Sequence, residues 1–130
     1  MADHVADKLV RKMSEAGIPV VGANILIMGV TFKENCPDTR NSQVFRVIAQ
    51  LKKMNAKVDA TDPWVDVDEA ADLGLVNATE IGKYGAIVIA VGHTQFTQMG
   101  IEQIRSLGND NCVIFDLKYL FDQQQTDVRL

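Results

Sequence analysis

Hydrophobic residues occur along this chain in short runs, and the segments between the runs repeat them at helical spacing. The runs predict four strands, at residues 24–30, 57–61, 86–91 and 112–116. In the first and third runs the apolar side chains follow one another without alternation. That pattern is typical of strands covered on both faces in a parallel sheet.

The segments between the strands predict helices. Residues 3–16 place Val5 and Leu9 on one apolar stripe, the pattern of a helix with one buried face. A second helix is expected to begin at Asn41 or Ser42, because either side chain can accept hydrogen bonds from the free N–H groups of a first turn. Shorter helical segments are predicted at residues 65–74, 79–83 and 100–107.

Strands that alternate with helices predict a three-layer α/β (αβα) fold, a Rossmann-like, doubly wound parallel sheet of about five strands. The 130 residues are enough for one such domain. The G-x-G-x-x-G loop with which such sheets bind dinucleotides is missing, since Gly29 is followed by V-T-F-K. Asp62 could imitate the ribose-binding acid of such folds, although Asp62-Pro63 is more typical of a simple strand end.

Composition and charge exclude several classes of protein. Hydrophobic residues make up 47% of the chain and charged residues 23%, which is a globular composition. No apolar run approaches the roughly 20 residues that cross a bilayer, and the charged residues 1–17 do not resemble a signal peptide. Residues 1–60 contain nine Lys and Arg against six Asp and Glu, and residues 61–130 contain four against eleven. We therefore expect an anionic ligand in the first half and no nucleic-acid surface.

Candidate nucleophiles and metal ligands are few. Cys36 and Cys112 make no disulfide framework, which favours a reducing cytoplasm, and Cys112 in an apolar strand is expected to be buried. No zinc-protease, Walker or C-x-x-C motif occurs, so no metal site is predicted. His4 is expected to be solvated on the first helix. His93 follows a strand at the edge where ligands of such sheets gather, and either a place near a site or a role in a turn or cap remains open.

The segment 31–42 is the strongest candidate for a binding site. It leaves the carboxyl end of the first strand and brings Lys33 and Arg40 close to the positive N-terminus of the next helix. Arginine offers a planar fork and lysine a compact charge, which together suit a diphosphate or another multiply charged anion. In the alternative interpretation the loop is solvated, and its cations pair with Glu34 and Asp38.

The run GVTFKENCPDTRNSQVF at residues 29–45 resembles the hallmark of the C-terminal domain of the UDP-glucose/GDP-mannose dehydrogenase family. The family pattern has a glycine after the strand, an F-K pair and a D-x-R-x-S/T element that opens a helix. Phe32-Lys33 and residues 38–42 match it here. The segment F-K-E-N-C-P-D at residues 32–38 most resembles the branch of this family that acts on UDP-N-acetylhexosamines.

The resemblance implies an NAD-dependent enzyme that oxidises the C6 alcohol of a UDP-N-acetylhexosamine, or of UDP-glucose, to the uronate in two steps for surface polysaccharide biosynthesis. It implies that residues 1–20 are the tail of a connecting helix and residues 21–130 the UDP-sugar-binding domain. An N-terminal NAD-binding domain and a central helical region, which supplies the catalytic cysteine and the homodimer contact, would belong to the same enzyme. Cys36 is therefore not the nucleophile, and this fragment would hold no catalytic residue and be inactive alone.

The resemblance also implies roles for single residues. Phe32 and Lys33 would line the substrate site, and Arg40 would reach toward NAD held mainly by the N-terminal domain. Many relatives carry a substrate-binding arginine after the last strand, where this chain has Lys118 and Tyr119, so either is a candidate for that contact.

Two other functions are compatible with the pattern. A non-catalytic Rossmann-like scaffold or regulatory module would act through protein contacts and would not depend on Lys33 or Arg40. A response-regulator-like domain would need an acidic pair at the end of the first strand, and that strand ends in M-G-V instead.

Overall fold

A single parallel sheet with helices on both sides makes up the structure, a computed structural model that describes residues 2–121 and 126–129. The helices are α1 (Ala2–Glu15), α2 (Val44–Lys53), α3 (Val67–Leu73) and α4 (Thr94–Ser106). The strands are β1 (Asn24–Met28), β2 (Lys57–Thr61), β3 (Tyr84–Ile89), β4 (Gly108–Asp116) and β5 (Val128–Arg129). Their order across the sheet is β2-β1-β3-β4-β5, and every neighbouring pair is parallel.

Only four of these strands are full length. The fifth, β5, has two residues and pairs with Phe115 and Asp116 at the end of β4. The expected sheet of about five strands is therefore corrected to four strands with a short edge addition. The physical reason lies in residues 122–130, which are mostly polar and hold no apolar run that a longer strand could bury.

The strand side chains alternate between two buried faces of the sheet. On one face Ile27 and Val88 pack against residues of α1 and α2. On the other face Met28 and Ile89 pack against Phe96 of α4. Because successive residues of a strand point to opposite faces and helices cover both, the predicted three-layer αβα fold is confirmed.

Helix α1 belongs to the core of the sheet. Val5, Leu9 and Met13 are all buried, and they form the apolar stripe that the sequence pattern predicts. The predicted range 3–16 is shifted by one residue at each end, which is within the usual uncertainty of helix ends. His4 lies on the opposite side of the helix and is exposed, as expected.

Helix α2 begins at Val44, later than the predicted Asn41 or Ser42. Asn41 has a φ of 61°, a left-handed conformation that belongs to the loop and cannot open a right-handed helix. Ser42 still acts as a cap in part, since its hydroxyl accepts a hydrogen bond from the Val44 N–H at 3.3 Å.

Helix α4 begins at Thr94, well before the predicted segment 100–107. Gly100 has φ 80° and interrupts the helix, so two short halves follow each other and the sequence pattern revealed only the second. Residues 79–83 contain a turn rather than the predicted helical segment. The helix predicted at 65–74 is present as α3.

Gly29 allows the exit of β1 to pack closely against the end of β3. Its φ is 98°, and a Cβ atom placed there would lie 2.6 Å from the Cβ of Val91. The Gly29 N–H also donates a hydrogen bond to the Thr61 carbonyl of β2 at 2.8 Å. The loop that follows β1 therefore starts from a fixed position between two neighbouring strands.

We expect Gly29→Ala to destabilise the protein more than Gly22→Ala. Both glycines have positive φ, so both substitutions carry a backbone strain of about 1–2 kcal/mol. Only at Gly29 does the new methyl group meet another residue, because the space around Gly22 is open. Urea unfolding should show an additional loss of about 1–3 kcal/mol for Gly29→Ala, and equal losses in the two variants would contradict the close packing.

Candidate functional site

A cavity of about 240 Å³ opens where the carboxyl ends of β1, β3 and β4 meet the N-terminus of α2. Its buried floor consists of Val5, Ile27, Thr31, Val47, Val88, Ala90 and Val91. Its exposed rim consists of Phe32, Lys33, Asn41, Gln43 and Lys118. An apolar floor with a few convergent polar groups is the usual composition of a ligand site. We call this space the β1–β4 cavity.

Two lysines from distant parts of the sequence lie on the rim of the β1–β4 cavity. Lys33 lies in the loop after β1, and Lys118 lies in the turn after β4. Within residues 2–121 and 126–129, neither ammonium group has an ion-pair partner. The N-terminus of α2 adds its positive dipole end, since residues 41–44 line the same cavity. The rim therefore combines two lysines with the positive end of a helix.

Phe32 stands beside Lys33 on this rim, and its side chain is 58% exposed. The Phe32 N–H donates a hydrogen bond of 2.7 Å to the Asp38 carbonyl, which closes the loop on itself. The exposed ring is available to a ligand or to another domain.

Arg40 does not reach the β1–β4 cavity. Its guanidinium is exposed and donates two hydrogen bonds to the Asp38 carboxylate, at 3.0 Å from Nε and 3.1 Å from an Nη atom. These bonds lower the pKa of Asp38 and raise the pKa of Arg40. The alternative interpretation, in which loop charges pair with one another, is thus correct for Arg40 and does not describe Lys33.

The turn after β4 brings Lys118 to the cavity and leaves Tyr119 away from it. Asp116 is fully buried, and its two carboxylate oxygens accept hydrogen bonds from the N–H groups of Lys118 (3.1 Å) and Phe121 (3.0 Å). Tyr119 has a left-handed φ of 55° and does not line the cavity. Of the two candidates for the family's arginine, only Lys118 lines the β1–β4 cavity together with Lys33.

A buried carboxylate, Asp62, holds the base of the loop that carries Lys33. Its Oδ2 accepts hydrogen bonds from the N–H groups of Val30 (2.8 Å) and Thr31 (3.3 Å), and its Oδ1 accepts one from the Trp64 N–H (2.8 Å). Asp62 therefore does more than end a strand, because it ties the β1 and β2 exits together. The contacts to Val30 and Thr31 each span more than 30 residues, and no local sequence pattern indicates them.

His93 is fully buried against Asp62 and contacts the same loop. Its Nδ1 accepts a hydrogen bond from the Asn35 N–H at 2.9 Å, so the ring proton resides on Nε2. That Nε2–H donates to Asp62 Oδ2 at 2.9 Å and lies 3.2 Å from the Thr31 hydroxyl. Of the two roles left open for His93, the structure shows the cap: His93 is the N-cap residue of α4, and its carbonyl accepts a hydrogen bond from the Phe96 N–H at 3.0 Å. Its ring makes no capping hydrogen bond and does not line the β1–β4 cavity.

The Asn35 side chain fastens the tip of the loop to α4. Its amide donates to the Thr94 hydroxyl and its carbonyl oxygen accepts from the Thr94 N–H, both at 3.0 Å. Trp64 makes a parallel link, since its Nε1–H donates to the Gln95 Oε1 at 3.1 Å. The loops after β1, β2 and β3 are therefore connected into one unit.

The two cysteines lie outside the wall of the β1–β4 cavity, and both are half-buried. Cys112 was expected to be buried and is only half-buried, because the pairing of β3 with β4 is irregular before Val113 and Cys112 lies in that part of β4. Burial raises the pKa of its thiol to about 12, and a neutral thiol is a poor nucleophile.

A second cavity, of about 590 Å³, lies between α3, α4 and the exit of β2. Asp62 is the one charged residue among its described lining residues, and both of its oxygens already accept hydrogen bonds from the protein. This space therefore offers no cation for an anionic ligand.

Two classes of feature are absent from the described part of the chain. None of its helices has the length and apolar character needed to cross a membrane. Its histidine, cysteine and acidic side chains also form no group of three that could hold a metal ion.

The family to which this geometry belongs is established by comparison with known proteins. Residues 26–123 match the UDP binding domain of the UDP-glucose/GDP-mannose dehydrogenase family. The matched segment contains the loop after β1, the Asp62 and His93 contacts and the turn that carries Lys118. The chain belongs to this family.

Two curated relatives are similar over the whole chain. The UDP-N-acetyl-D-glucosamine 6-dehydrogenase of Salmonella typhi is 47% identical over 133 aligned residues, which cover 100% of this chain and 31% of that protein. The protein of the same name from Pseudomonas aeruginosa is 44% identical and is covered to 32%. The chain thus spans about a third of the length of these relatives.

A solved structure supports the fold. The NDP-N-acetyl-D-galactosaminuronic acid dehydrogenase from Methanosarcina mazei Go1 superposes with a TM-score of 0.76 at 18% sequence identity. The superposition covers 95% of this chain and 26% of that chain. At this identity the likeness shows that the αβα architecture is shared.

We expect Asp62→Asn to be strongly destabilising and Asp66→Asn to be nearly neutral. At Asp62 both oxygens accept from N–H donors, so an amide nitrogen in either place would face a donor. Asp66 caps α3 by accepting from the Glu69 N–H, and asparagine caps a helix equally well.

Urea unfolding should give a loss of at least about 2 kcal/mol for Asp62→Asn and less than about 0.5 kcal/mol for Asp66→Asn. The two variants make the same chemical change four residues apart and are therefore matched. If Asp62→Asn were as stable as Asp66→Asn, the carboxylate would not hold the loop as described.

Proposed function

We propose that this chain binds the UDP part of a nucleotide sugar within an NAD-dependent UDP-sugar 6-dehydrogenase. The observation that carries the proposal is the β1–β4 cavity, whose rim at the N-terminus of α2 includes Lys33 and Lys118, two lysines without an ion pair among the described residues. We propose a UDP-N-acetylhexosamine as the substrate, with UDP-glucose as the alternative, because the relatives of highest identity described above are named for UDP-N-acetyl-D-glucosamine.

Charge complementarity supports a diphosphate at the rim. A diphosphate carries charge on two phosphorus centres, and two separate cations can neutralise both at once. The positive dipole end of α2 favours an anion in the same place. We propose that Lys33 and Lys118 contact the phosphate oxygens and that Phe32 covers an uncharged part of the ligand. Tyr119 was an alternative to Lys118, and the cavity wall favours Lys118.

The size of the cavity supports a shared site. At about 240 Å³ it is smaller than the roughly 300–1,000 Å³ typical of pockets that enclose a drug-sized ligand. We propose that it holds one part of the nucleotide sugar and that the rest extends toward other domains of the enzyme. The relatives contain about twice as much additional chain, which is enough for an NAD-binding domain and a central helical region.

The reaction we propose for the complete enzyme is the two-step oxidation of the sugar C6 alcohol to a carboxylate, in a homodimer that serves surface polysaccharide biosynthesis. NAD would accept the electrons and would be held mainly by the N-terminal domain. In this chain Arg40 is the proposed contact to NAD, because it is exposed and Asp38 holds its guanidinium in one orientation. Residues 1–20 would end the connecting helix, and this chain alone would have no activity.

We expect UDP to bind this chain and both Lys33→Ala and Lys118→Ala to weaken that binding. Each substitution removes a charge-assisted hydrogen bond of about 1.5–3 kcal/mol, which corresponds to roughly a 10- to 100-fold rise in Kd. Isothermal titration calorimetry with UDP at low ionic strength measures the change. The affinity should also fall as salt is added.

Lys53→Ala is the matched control, since Lys53 is exposed at the opposite end of α2 and should leave the Kd within about twofold. Uridine, which lacks the phosphates, should bind more weakly and respond little to either lysine variant. If Lys33→Ala and Lys118→Ala bound UDP like the unaltered chain, the scaffold function would be favoured and the proposal would fail.

In the complete enzyme, we expect Arg40→Ala to raise the KM for NAD about tenfold while the KM for the UDP-sugar changes less than about threefold. The reason is that Arg40 lies outside the cavity that Lys33 and Lys118 share. Steady-state kinetics with each substrate varied in turn separates the two effects. A selective rise in the KM for the UDP-sugar would assign Arg40 to the substrate instead.

A further inference from the structure

Besides Asp62, a second buried side chain, that of His93, holds the loop that carries Lys33. The ring contacts the loop on both sides of Lys33, two residues before it and two residues after it. Before Lys33, the Thr31 hydroxyl lies 3.2 Å from His93 Nε2, and it donates a hydrogen bond to the Lys33 carbonyl at 3.0 Å. After Lys33, the Asn35 N–H donates to His93 Nδ1 at 2.9 Å.

The two nitrogens of His93 serve different parts of the structure. Nε2 faces the buried carboxylate of Asp62, the residue that directly follows β2. Nδ1 faces the tip of the loop, where Asn35 has a left-handed φ of 54° and is exposed. The rings of Phe96 and Trp64, with centroids at 5.4 Å and 6.2 Å, hold the imidazole in place. His93 thus couples a rigid core to an exposed loop.

We propose that His93 is a positioning residue for nucleotide-sugar binding, and that its Nδ1 bond to the Asn35 N–H fixes the Lys33 loop in its binding geometry. The proposal rests on the proposed function, because it concerns the affinity of the same site. His93 does not touch the ligand, since it is fully buried and does not line the β1–β4 cavity. It acts by keeping Lys33 ordered before the ligand arrives, which lowers the entropic cost of binding.

Two substitutions separate the two hydrogen bonds of the ring. In His93→Asn the side-chain oxygen can take the place of Nδ1 and accept from Asn35, whereas the bond to Asp62 is lost. In His93→Gln the longer amide can reach the place of Nε2 and donate to Asp62, whereas the acceptor for Asn35 is lost. His4→Gln makes the second change at an exposed histidine and is the matched control.

We expect His93→Gln to raise the Kd for UDP about three- to tenfold with a small change in the urea midpoint. His93→Asn should show the reverse, with a Kd within about twofold of the unaltered chain and a clear loss of stability. In amide hydrogen exchange, the Asn35 N–H should exchange at least tenfold faster in His93→Gln than in His93→Asn. His4→Gln should change none of these quantities.

The inference is overturned if His93→Gln binds UDP as the unaltered chain does, or if both variants lose affinity in proportion to their loss of stability. In the second case His93 would have a structural role only. A failure of the proposed function appears differently, because then Lys33→Ala would leave the Kd unchanged or the unaltered chain would not bind UDP. The Lys33→Ala titration is therefore run beside the His93 variants.

Discussion

The burial of one carboxylate, that of Asp62, determines how the loops at the carboxyl edge of the sheet are arranged. A carboxylate without water is stable only if its oxygens accept hydrogen bonds, and here backbone N–H groups of Val30, Thr31 and Trp64 and the His93 ring supply them. These donors come from the exits of β1, β2 and β3. Any movement of one loop would therefore leave a buried charge partly unsatisfied, so the edge behaves as one unit.

The loops at this edge of the sheet carry cationic side chains that differ in whether they are paired. Arg40 is neutralised by Asp38 within its own loop, whereas Lys33 and Lys118 are placed at the cavity rim without an acidic partner among the described residues. Two like charges near one another are unfavourable in the free protein. We propose that an anion binds both lysines, since the backbone contacts of Asp62, His93 and Asp116 fix the two loops that carry them.

The sequence was sufficient to predict the fold because the strands β1 and β3 are continuous apolar runs and α1 has a clear buried stripe. It also indicated the loop that carries Lys33, since the charges and the family pattern lie within one short segment. The long-range contacts could not be predicted: His93 and Asn35 are 58 residues apart, and nothing in either neighbourhood shows that they meet. The position of Lys118 at the cavity could not be predicted either, because it depends on the turn in which Asp116 accepts a hydrogen bond from the Lys118 N–H. The first half of α4 was missed because Gly100 interrupts its periodicity.

A crystal structure of this chain with UDP tests the central claim most directly. The account predicts diphosphate density between the ammonium groups of Lys33 and Lys118, at the N-terminus of α2, with the loop held by His93 as in the free protein. Diphosphate density in the second cavity between α3 and α4, or on the acidic surface of the second half of the chain, would contradict it.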